Sequence, residues 1–580
     1  LVESASITEN LQQLSKLMEK SLAWSETHAC KFDIKKFQLV HFTRNERRYD
    51  AAPLQIGQIT VSASETATYL GLILDRKLRW RQQVEKAIGK GTAAVLATCR
   101  LTRPAFGMPP QFVRSIYVSV VLPKALYGVS VCYEPIRQRE GSTRMKGSVG
   151  TATRLARLQR TATRLITGAL KTTATDAMEF HAFIPPMRLR LNQMAHSAAV
   201  RLASLPPSHP LSKHVNWCST HYVRHHRTPI HELFNAFPEA CDTETIHATP
   251  IRRTWVPDFS WRIADSTEKG IEEAEALQRD TSTLVVYSDG SGYEEHVGAA
   301  AIARDCRGKL HTRRFHLGPA SNHTVFEGEL VGTILALDIA RAARHSGPVA
   351  ILLDNQAAIT ALATRPNNPG QYLVRTFHDQ LAKLSSTVHV AWVPGHKDVE
   401  GNEMADSEAK TAATGGASSN TPLTRAIRTL KHQLPASAAA LRAQEKTSMR
   451  GRWSKQWADS RRGVKQRRFD TRPPGRTVLR FYKDRSRQSA SIITQLRTGH
   501  IGLNAFLHRI HAVDSPNCPR CGTPETVSHF LLSCPRFRDA RHILRTTLKK
   551  PLSLRLLLGS PAHTSSLLQF IQSTKRFPLY

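Results

Sequence analysis

Apolar residues at helical spacing (Leu11, Leu14, Leu17, Met18) predict an amphipathic first helix, followed by short strands over residues 37–42, 56–61 and 69–74. Residues 86–275 read as mostly helical, with apolar spacing over 87–101, 111–122 and 155–166, and the Pro- and His-rich stretch 206–260 reads as irregular. From residue 283 the pattern changes. A β-branched run ends in Asp289-Gly290, which predicts a buried strand delivering an acid near its end. Residues 298–304 and 310–317 follow as two further strands of an antiparallel meander. A helix opens at Thr324, with Leu330, Ile334, Leu337 and Ile339 on a 3.6-residue period and Glu327 and Glu329 in its first turns. The run 349–354 is a second fully buried strand ending in an acid, Asp354. A third strand leads into a loop with His396, and the last helix of this region starts near Gly401. The Gly/Ser/Asn/Thr run 414–421 reads as a flexible linker, and no repeat of fixed period is present.

The chain's 580 residues call for more than one domain, and 41% hydrophobic with 22% charged residues excludes a wholly disordered or collagen-like chain. The net charge of +35 adds a polyanionic partner, with nucleic acid foremost. The charge is uneven: residues 421–580 hold 31 Lys/Arg against 7 acids, whereas residues 281–410 hold 12 against 14. This predicts a near-neutral module carrying chemistry beside a basic one gripping phosphate. The most apolar stretch, 115–133, is interrupted by Pro123 and Lys124 and is too short to span a bilayer, so no membrane partner is expected. No signal peptide is expected, and nine mostly scattered cysteines do not make a disulfide framework. The expectation is an intracellular protein of nucleus or cytoplasm, not secreted. The start at Leu1 reads as a chain cut from something longer.

Acids at strand ends and helix starts converge on one edge of a mixed sheet, where they repel one another unless a cation sits between them. Oxygen-only ligands favour Mg²⁺ or Mn²⁺, and a pair of such ions suits phosphodiester cleavage. The order Asp289-Gly290-Ser291, Glu329, Asp354, Trp392-Val-Pro-Gly-His396 and Asn402-Glu-Met-Ala-Asp406 resembles ribonuclease H of type 1, in the form found in retrotransposon polyproteins. The resemblance implies a five-stranded mixed sheet with flanking helices and cleavage of the RNA strand of RNA–DNA hybrids, leaving a 3′-hydroxyl and a 5′-phosphate. It places Asp289, Glu329, Asp354 and Asp406 as ligands of two Mg²⁺ (Mn²⁺ as the alternative) and His396 in proton transfer and product release. It puts Gly290, Ser291, Asn355, Gln356 and Asn402 at the substrate. Where bacterial members have an Asn pair before the helix glutamate, this chain has Val325 and Phe326. An acid at a strand end is more often a turn or cap residue, so the reading rests on four acids in order. Glu294, Glu295, Glu327, Asp398 and Glu403 read as surface charge.

Near the carboxyl end, Cys518, Cys521, His529 and Cys534 have the spacing C-x2-C-x7-H-x4-C. Two thiolates two residues apart, with a His and a third Cys, complete a closed, structural Zn²⁺ shell. Phe530, Phe537 and the surrounding Lys/Arg suit a nucleic-acid-binding knuckle, against the plainer reading of unrelated surface cysteines. Residues 450–487 interleave Trp453, Trp457, Phe469, Phe481 and Tyr482 with arginines, which reads as a base-stacking platform or as a solvated helix face with packing aromatics. The remaining cysteines, Cys30, Cys99, Cys132, Cys218, Cys241 and Cys306, read as core residues. Residues 496–504 with the knuckle resemble the C-terminal part of non-LTR retrotransposon polyproteins. Residues 32–42 and 69–80 resemble the end of a reverse transcriptase palm, with Lys35 or Lys36 matching its nucleotide-site lysine. Residues 122–128 and 164–168 resemble the thumb. The palm of that family uses an Asp-Asp pair, and this chain contains none, so polymerisation by the chain alone is not expected.

The resulting division is 1–85 partial palm, 86–275 helical thumb and connection, 281–415 ribonuclease H, 416–490 basic linker and 491–550 zinc-knuckle region, a multidomain α/β chain with a basic helical tail. The expected partners are RNA–DNA hybrid and RNA, with no small-molecule cofactor and no oligomeric state implied. The rival readings are a nucleic-acid-binding remnant without turnover, and a polymerase part needing a partner chain.

Overall fold

The computed structural model describes residues 1–577 except 5, 44, 139–140, 222, 224–227, 248–256, 398, 416–417 and 419–426. The chain divides into two compact units, one formed by Leu1–Leu191 with Arg450–Tyr580 and the other by Asn192–Met449. Among the described residues no helix is long and apolar enough to cross a membrane.

The Asn192–Met449 unit is built on one sheet. Its elements in chain order are β1 (Ser260–Arg262), α1 (Thr267–Arg279), β2 (Leu284–Tyr293), β3 (His296–Arg304), β4 (Leu310–Pro319), α2 (Val325–Ala342), β5 (Val349–Leu353), α3 (Gln356–Thr364), α4 (Gln371–Leu381), β6 (Val388–Trp392) and α5 (Glu400–Ala413). The strands lie side by side as β4-β3-β2-β5-β6-β1. β2, β3 and β4 form the antiparallel meander that the alternation predicts, while β2, β5, β6 and β1 run parallel. Helices cover both faces, as a parallel sheet requires. On one face Val286, Ile351 and Val390 pack with Leu330, Ile334 and Leu335 of α2 and Leu373 and Phe377 of α4. On the other, Tyr287, Ile302, Leu352 and Ala391 meet Ala274 of α1 and Ala405 of α5. β3 is buried between these layers, and its run of alanines lets the helices approach closely.

The sheet has six strands where five are expected. The extra strand, β1, starts at Ser260, the last residue of the stretch read as irregular. It is three residues long with every side chain exposed, so no alternation marks it. The same stretch also contains helices Ser212–Thr220 and Pro229–Ala236, and part of it lies outside the described residues. Residues read as the start of a linker behave differently too: Ile427, Leu430 and Leu434 belong to the α2-side core. The run 414–421 lies mostly outside the described residues.

In the other unit, helix Ile7–Thr27 packs Leu11, Leu14 and Met18 on a small core of Leu39, Leu54 and Ile56. The strand expected over 37–42 does not form; Leu39 makes a single bridge to Ala63 after a 3₁₀ turn at Ile34–Lys36. Residues 56–61 hold a turn at 57–58 that joins strand Leu54–Ile56 to strand Ile59–Val61, and residues 69–74 lie in a hairpin of Thr66–Tyr69 with Leu72–Asp75. The predicted helices are found as Arg81–Cys99, Pro110–Ile116 continuing into Tyr117–Val121, and Val149–Thr167.

The stacking-platform reading of residues 450–487 fails. Trp453, Trp457, Phe469, Phe481 and Tyr482 are all buried, as are Phe530 and Phe537. They fill the core because each finds apolar partners: Phe481 and Tyr482 pack with Val478 and Ile493, and Phe530 with Leu544 and Phe570. Of the scattered cysteines read as core, only Cys218 is buried; Cys30, Cys241 and Cys306 are exposed and Cys99 and Cys132 half-buried.

Gly290 fixes how close α2 comes to β2, since a Cβ there would lie 2.2 Å from the backbone nitrogen of Glu329. Backbone on both sides leaves no flexible atom to give way. Gly290→Ala is expected to destabilise this unit by about 1–3 kcal/mol, the usual range for overpacking, and thermal denaturation of the variant should read a lower midpoint.

Candidate functional site

Parallel pairing of β2 with β5 ends at Tyr287 and Leu352, which are register partners. Two residues further along each chain, on the same face, stand Asp289 and Asp354. β2 does not stop there, because its other edge continues to pair with β3 as far as Tyr293. Asp289 is therefore mid-strand rather than terminal, at the point where one neighbour leaves. Glu329 enters from the second turn of α2. That helix is fixed at its start by a capping box between Thr324 and Glu327, and Glu327 is buried rather than a surface charge.

The result is a cleft of about 220 Å³ lined by Asp289, Glu329, Asp354, Asp406, His396 and Asn402, with Gly290 and Ser291 on its wall. One carboxylate oxygen from each of Asp289, Glu329 and Asp354 lies within 4.8 Å of the others. Asp406, on α5, faces the same space and raises the pKa of both Asp289 and Asp354. Its carboxylate is held by the Lys410 ammonium at 2.6 Å, one helical turn on. Glu403, read as surface charge, also lines the cleft from the turn before. Lys410 and Glu403 are the site groups missed from the sequence; their i+4 and i−3 spacing from Asp406 is the signal that finds them.

Supporting groups orient the acids. Asn355 caps α3 through Ala358 N–H and also donates to Glu329. Asn402 is buried and donates to Asp354. The Trp392 indole donates to the Asp354 carbonyl at 3.0 Å, and Gly395 leaves room where a Cβ would sit 2.3 Å from Asp354 Oδ2. His396 is exposed, with a left-handed backbone at φ 54°, and its charge favours ionised Asp354. Gln356, expected at the substrate, is exposed at the start of α3 and is not among the cleft-lining residues. Glu294 and Glu295 sit in the exposed β2–β3 turn, and Asp398 lies outside the described residues.

Burial and the neighbouring acids push Asp289 up to about 7 and Glu329 up to about 9, and raise Asp354 as well. Glu329 Oε2 is buried without a hydrogen-bond partner among the described residues. A divalent cation fits this donor set: hard oxygens, mutual repulsion and an unsatisfied buried oxygen.

The second cluster is closed. Cys521 and Gly522 N–H groups bond the Cys518 carbonyl in a tight turn, and His529 and Cys534 flank one helical turn. The three sulfurs lie 3.6 to 3.8 Å apart, and all four ligand atoms fall within 4.8 Å of one another. Zinc–sulfur bonds of about 2.3 Å place tetrahedral sulfurs at about that separation. His529 Nε2 is buried without a hydrogen-bond partner among the described residues. Burial pushes the Cys518 thiol up, yet N–H groups of Arg520 and Cys521 and the His529 ring outweigh it and bring it down to about 7. Arg541, counted from the sequence among the basic groups around the knuckle, is buried and donates instead to the carbonyls of Leu531 and Cys534. These residues fit Zn²⁺.

The ribonuclease H family model matches residues 281–414, and these residues are a ribonuclease H domain. The retrovirus-related Pol polyprotein from type-1 retrotransposable element R1 4 of Nasonia vitripennis is 33% identical over 81 residues, 13% of this chain and 21% of that protein. The match therefore spans about a fifth of that relative's length. Both likenesses cover parts of this chain only. Among solved structures, RNase H1 from the halophilic archaeon Halobacterium salinarum NRC-1 is 17% identical, covering 23% of this chain and 98% of that one with a TM-score of 0.19. The N-terminal RNase H domain of Rv2228c from Mycobacterium tuberculosis, solved as a fusion with maltose-binding protein, is also 17% identical, with 23% and 95% covered and a TM-score of 0.19.

A carboxyl group whose folded pKa exceeds its unfolded value near 4 supplies stability at low pH and loses it as pH rises through the folded value. For Asp289 and Glu329 that window runs from about 4 up to about 7 and about 9. In buffer without added divalent cation, thermal stability of the protein should fall across that window more steeply than in Glu329→Gln. Added Mg²⁺ should raise the midpoint of the native protein, and by more at pH 8.5 than at pH 6. Cys518→Ser should lower bound zinc from one to none per chain by elemental analysis and destabilise the carboxyl-terminal core.

Proposed function

We propose that the ribonuclease H domain hydrolyses the RNA strand of RNA–DNA hybrids in a reaction requiring divalent cations, within a protein akin to retrotransposon polyproteins. The observation that carries this reading is the meeting of three carboxylate oxygens, from segments far apart in the chain, within 4.8 Å. Asp289, Glu329, Asp354 and Asp406 are the residues that would hold Mg²⁺. When bound at such a centre, divalent cations supply a water of lowered pKa and stabilise charge on the leaving oxygen.

The chain's own part is positioning and proton handling. Asn355 and Asn402 hold Glu329 and Asp354 so that their oxygens point at one space. Water adds to the scissile phosphorus, the bond from phosphorus to the 3′ oxygen breaks, and that oxygen takes a proton to leave as a 3′-hydroxyl opposite a 5′-phosphate. His396, exposed beside Asp354, is placed to move that proton, as imidazole side chains do in general acid–base steps. Ser291 and Gly290 offer backbone and hydroxyl groups to the substrate at the cleft wall. The Cys518–Cys534 cluster is closed and serves the fold by holding Zn²⁺.

On a labelled hybrid, Asp354→Asn is expected to reduce Mg²⁺-dependent cleavage by at least a thousandfold while hybrid binding in a gel shift stays within about threefold. Binding without cleavage by the native chain would instead support an inert nucleic-acid-binding protein. Cleavage unchanged in Asp354→Asn would remove the carboxylate centre from the reaction.

A further inference from the structure

Tyr293 is the last residue of β2, and the unbroken pairing of that strand with β3 puts it on the same face as Asp289 and Ser291. Four residues at about 3.3 Å each set it about 13 Å from Asp289 along the strand. It is 46% exposed. His296, also exposed, stands directly opposite Tyr293 in the ladder, so the two side chains share a face. His316 of β4 brings a further ring, its centroid 5.4 Å from that of His296 and the two planes 35° apart.

These rings are held in place. His296 Nδ1 lies 3.0 Å from the Glu294 carbonyl and His316 Nδ1 lies 2.9 Å from the Ala412 carbonyl, so in each ring Nδ1 carries the proton and donates. The turn between β2 and β3 is held as well. Glu294 and Glu295 both take left-handed backbone, at φ 47° and 62°, and the Glu295 carbonyl accepts from the Ala320 N–H at 2.7 Å. A two-residue hairpin demands that conformation, which Asn and Gly adopt more easily than glutamate.

Planar side chains on adjacent strands thus continue the sheet face beyond the carboxylate cleft, and sheet faces that carry such rings stack bases. A base inside a hybrid has both its faces covered by its neighbours, so only an unpaired base can lie on these rings. The two glutamates at the tip repel phosphates and so favour contact through the base over contact through the backbone. We propose that Tyr293, His296 and His316 form a stacking surface for an unpaired base of a single-stranded overhang beside the hybrid, so that the domain engages hybrids at their junctions with single strand. This rests on the reading of the adjacent cleft as the place where a hybrid is held. Tyr293 is a positioning residue and takes no part in the chemistry. Every base has a face to offer, so the surface carries no base preference.

The test uses the full chain with its zinc retained and no other divalent cation, so that no strand is cut, and reads fluorescence anisotropy of labelled RNA–DNA hybrids. One hybrid is blunt; in separate arms the same hybrid carries a short overhang on its RNA strand or on its DNA strand. An overhang should tighten binding about tenfold over the blunt hybrid, within the range for base–aromatic stacking, and the arm that shows it identifies the strand. Stacking neutralises no phosphate, so this ratio should hold steady from about 50 to about 200 mM salt while the affinity of every duplex falls. Tyr293→Ala should bring the ratio to about one with blunt-hybrid affinity unchanged, and Tyr293→Phe should keep it. Equal affinity for all the duplexes, a ratio that survives Tyr293→Ala, or one that collapses with salt overturns the proposal. Should Tyr293→Ala fail to fold by near-UV circular dichroism, His296→Ala should cut the ratio severalfold, and an undiminished ratio in that variant overturns the proposal equally. Mg²⁺-dependent cleavage of the blunt hybrid, followed in parallel, reports on the carboxylate cleft alone. Its absence would remove the hybrid-cleaving reading, while the overhang ratio still decides the stacking surface.

Discussion

Three carboxylates compressed into one partly buried cleft repel one another, and the architecture of the Asn192–Met449 unit can be read as what it takes to hold them there. Ionising Glu329 at neutral pH costs on the order of a few kcal/mol when its pKa stands near 9. The fold offsets this with α2, whose apolar side chains are almost all buried against the sheet. That helix leaves no freedom at Glu329: its start is pinned by the Thr324–Glu327 capping box, and its approach is set by Gly290. The second acid is pinned by the Trp392 indole on its carbonyl. Strain concentrated at one place and stability spread elsewhere is the usual economy of a functional site.

How much of this can be read from the amino-acid order depends on whether the determinant is local. Asp289 and Asp354 are visible because each follows a β-branched run, and runs of that kind become central strands. Their matching register is not visible, since it depends on where parallel pairing stops at Tyr287 and Leu352. For the same reason Asp289 reads as terminal although β2 continues on its other edge. The zinc ligands are legible because the C-x2-C turn and the His–Cys turn are each closed within a few residues. β1 is not, because a three-residue strand with all side chains exposed carries no period, and neither is the return of residues 427–434 to the core.

The aromatic–arginine stretch shows a different kind of ambiguity. Arginine beside tryptophan and phenylalanine describes a nucleic-acid surface and a cation–π packed interior equally well. Arg497 is fully buried, stacks 3.9 Å over Phe481 and pairs with Asp470 at 2.5 Å, so its charge is used inside the protein. Arg487 is buried as well, donating to the carbonyls of Arg103 and Ile166. Counting arginines therefore overstates the charge available to a polyanion, while residues such as Arg461 and Arg462, exposed and outside any ion pair among the described residues, are the ones that remain.

The two clusters suited to metals obey opposite rules. Cys518, Cys521, His529 and Cys534 are soft donors at the edge of a hydrophobic core that includes Cys518 and Cys534 themselves, with no position left for a reacting molecule. The carboxylate cleft is hard, open to solvent on one side, and carries more negative charge than its own Lys410 offsets. A closed thiolate shell gains by being occupied permanently, because an empty one leaves buried polar atoms such as His529 Nε2 unpaired. An open oxygen site would gain by holding its cations less permanently, since carboxylates alone leave room for oxygen ligands from a substrate. On the proposed reading, the same chain would keep one metal as part of its fold and take up another as part of its reaction.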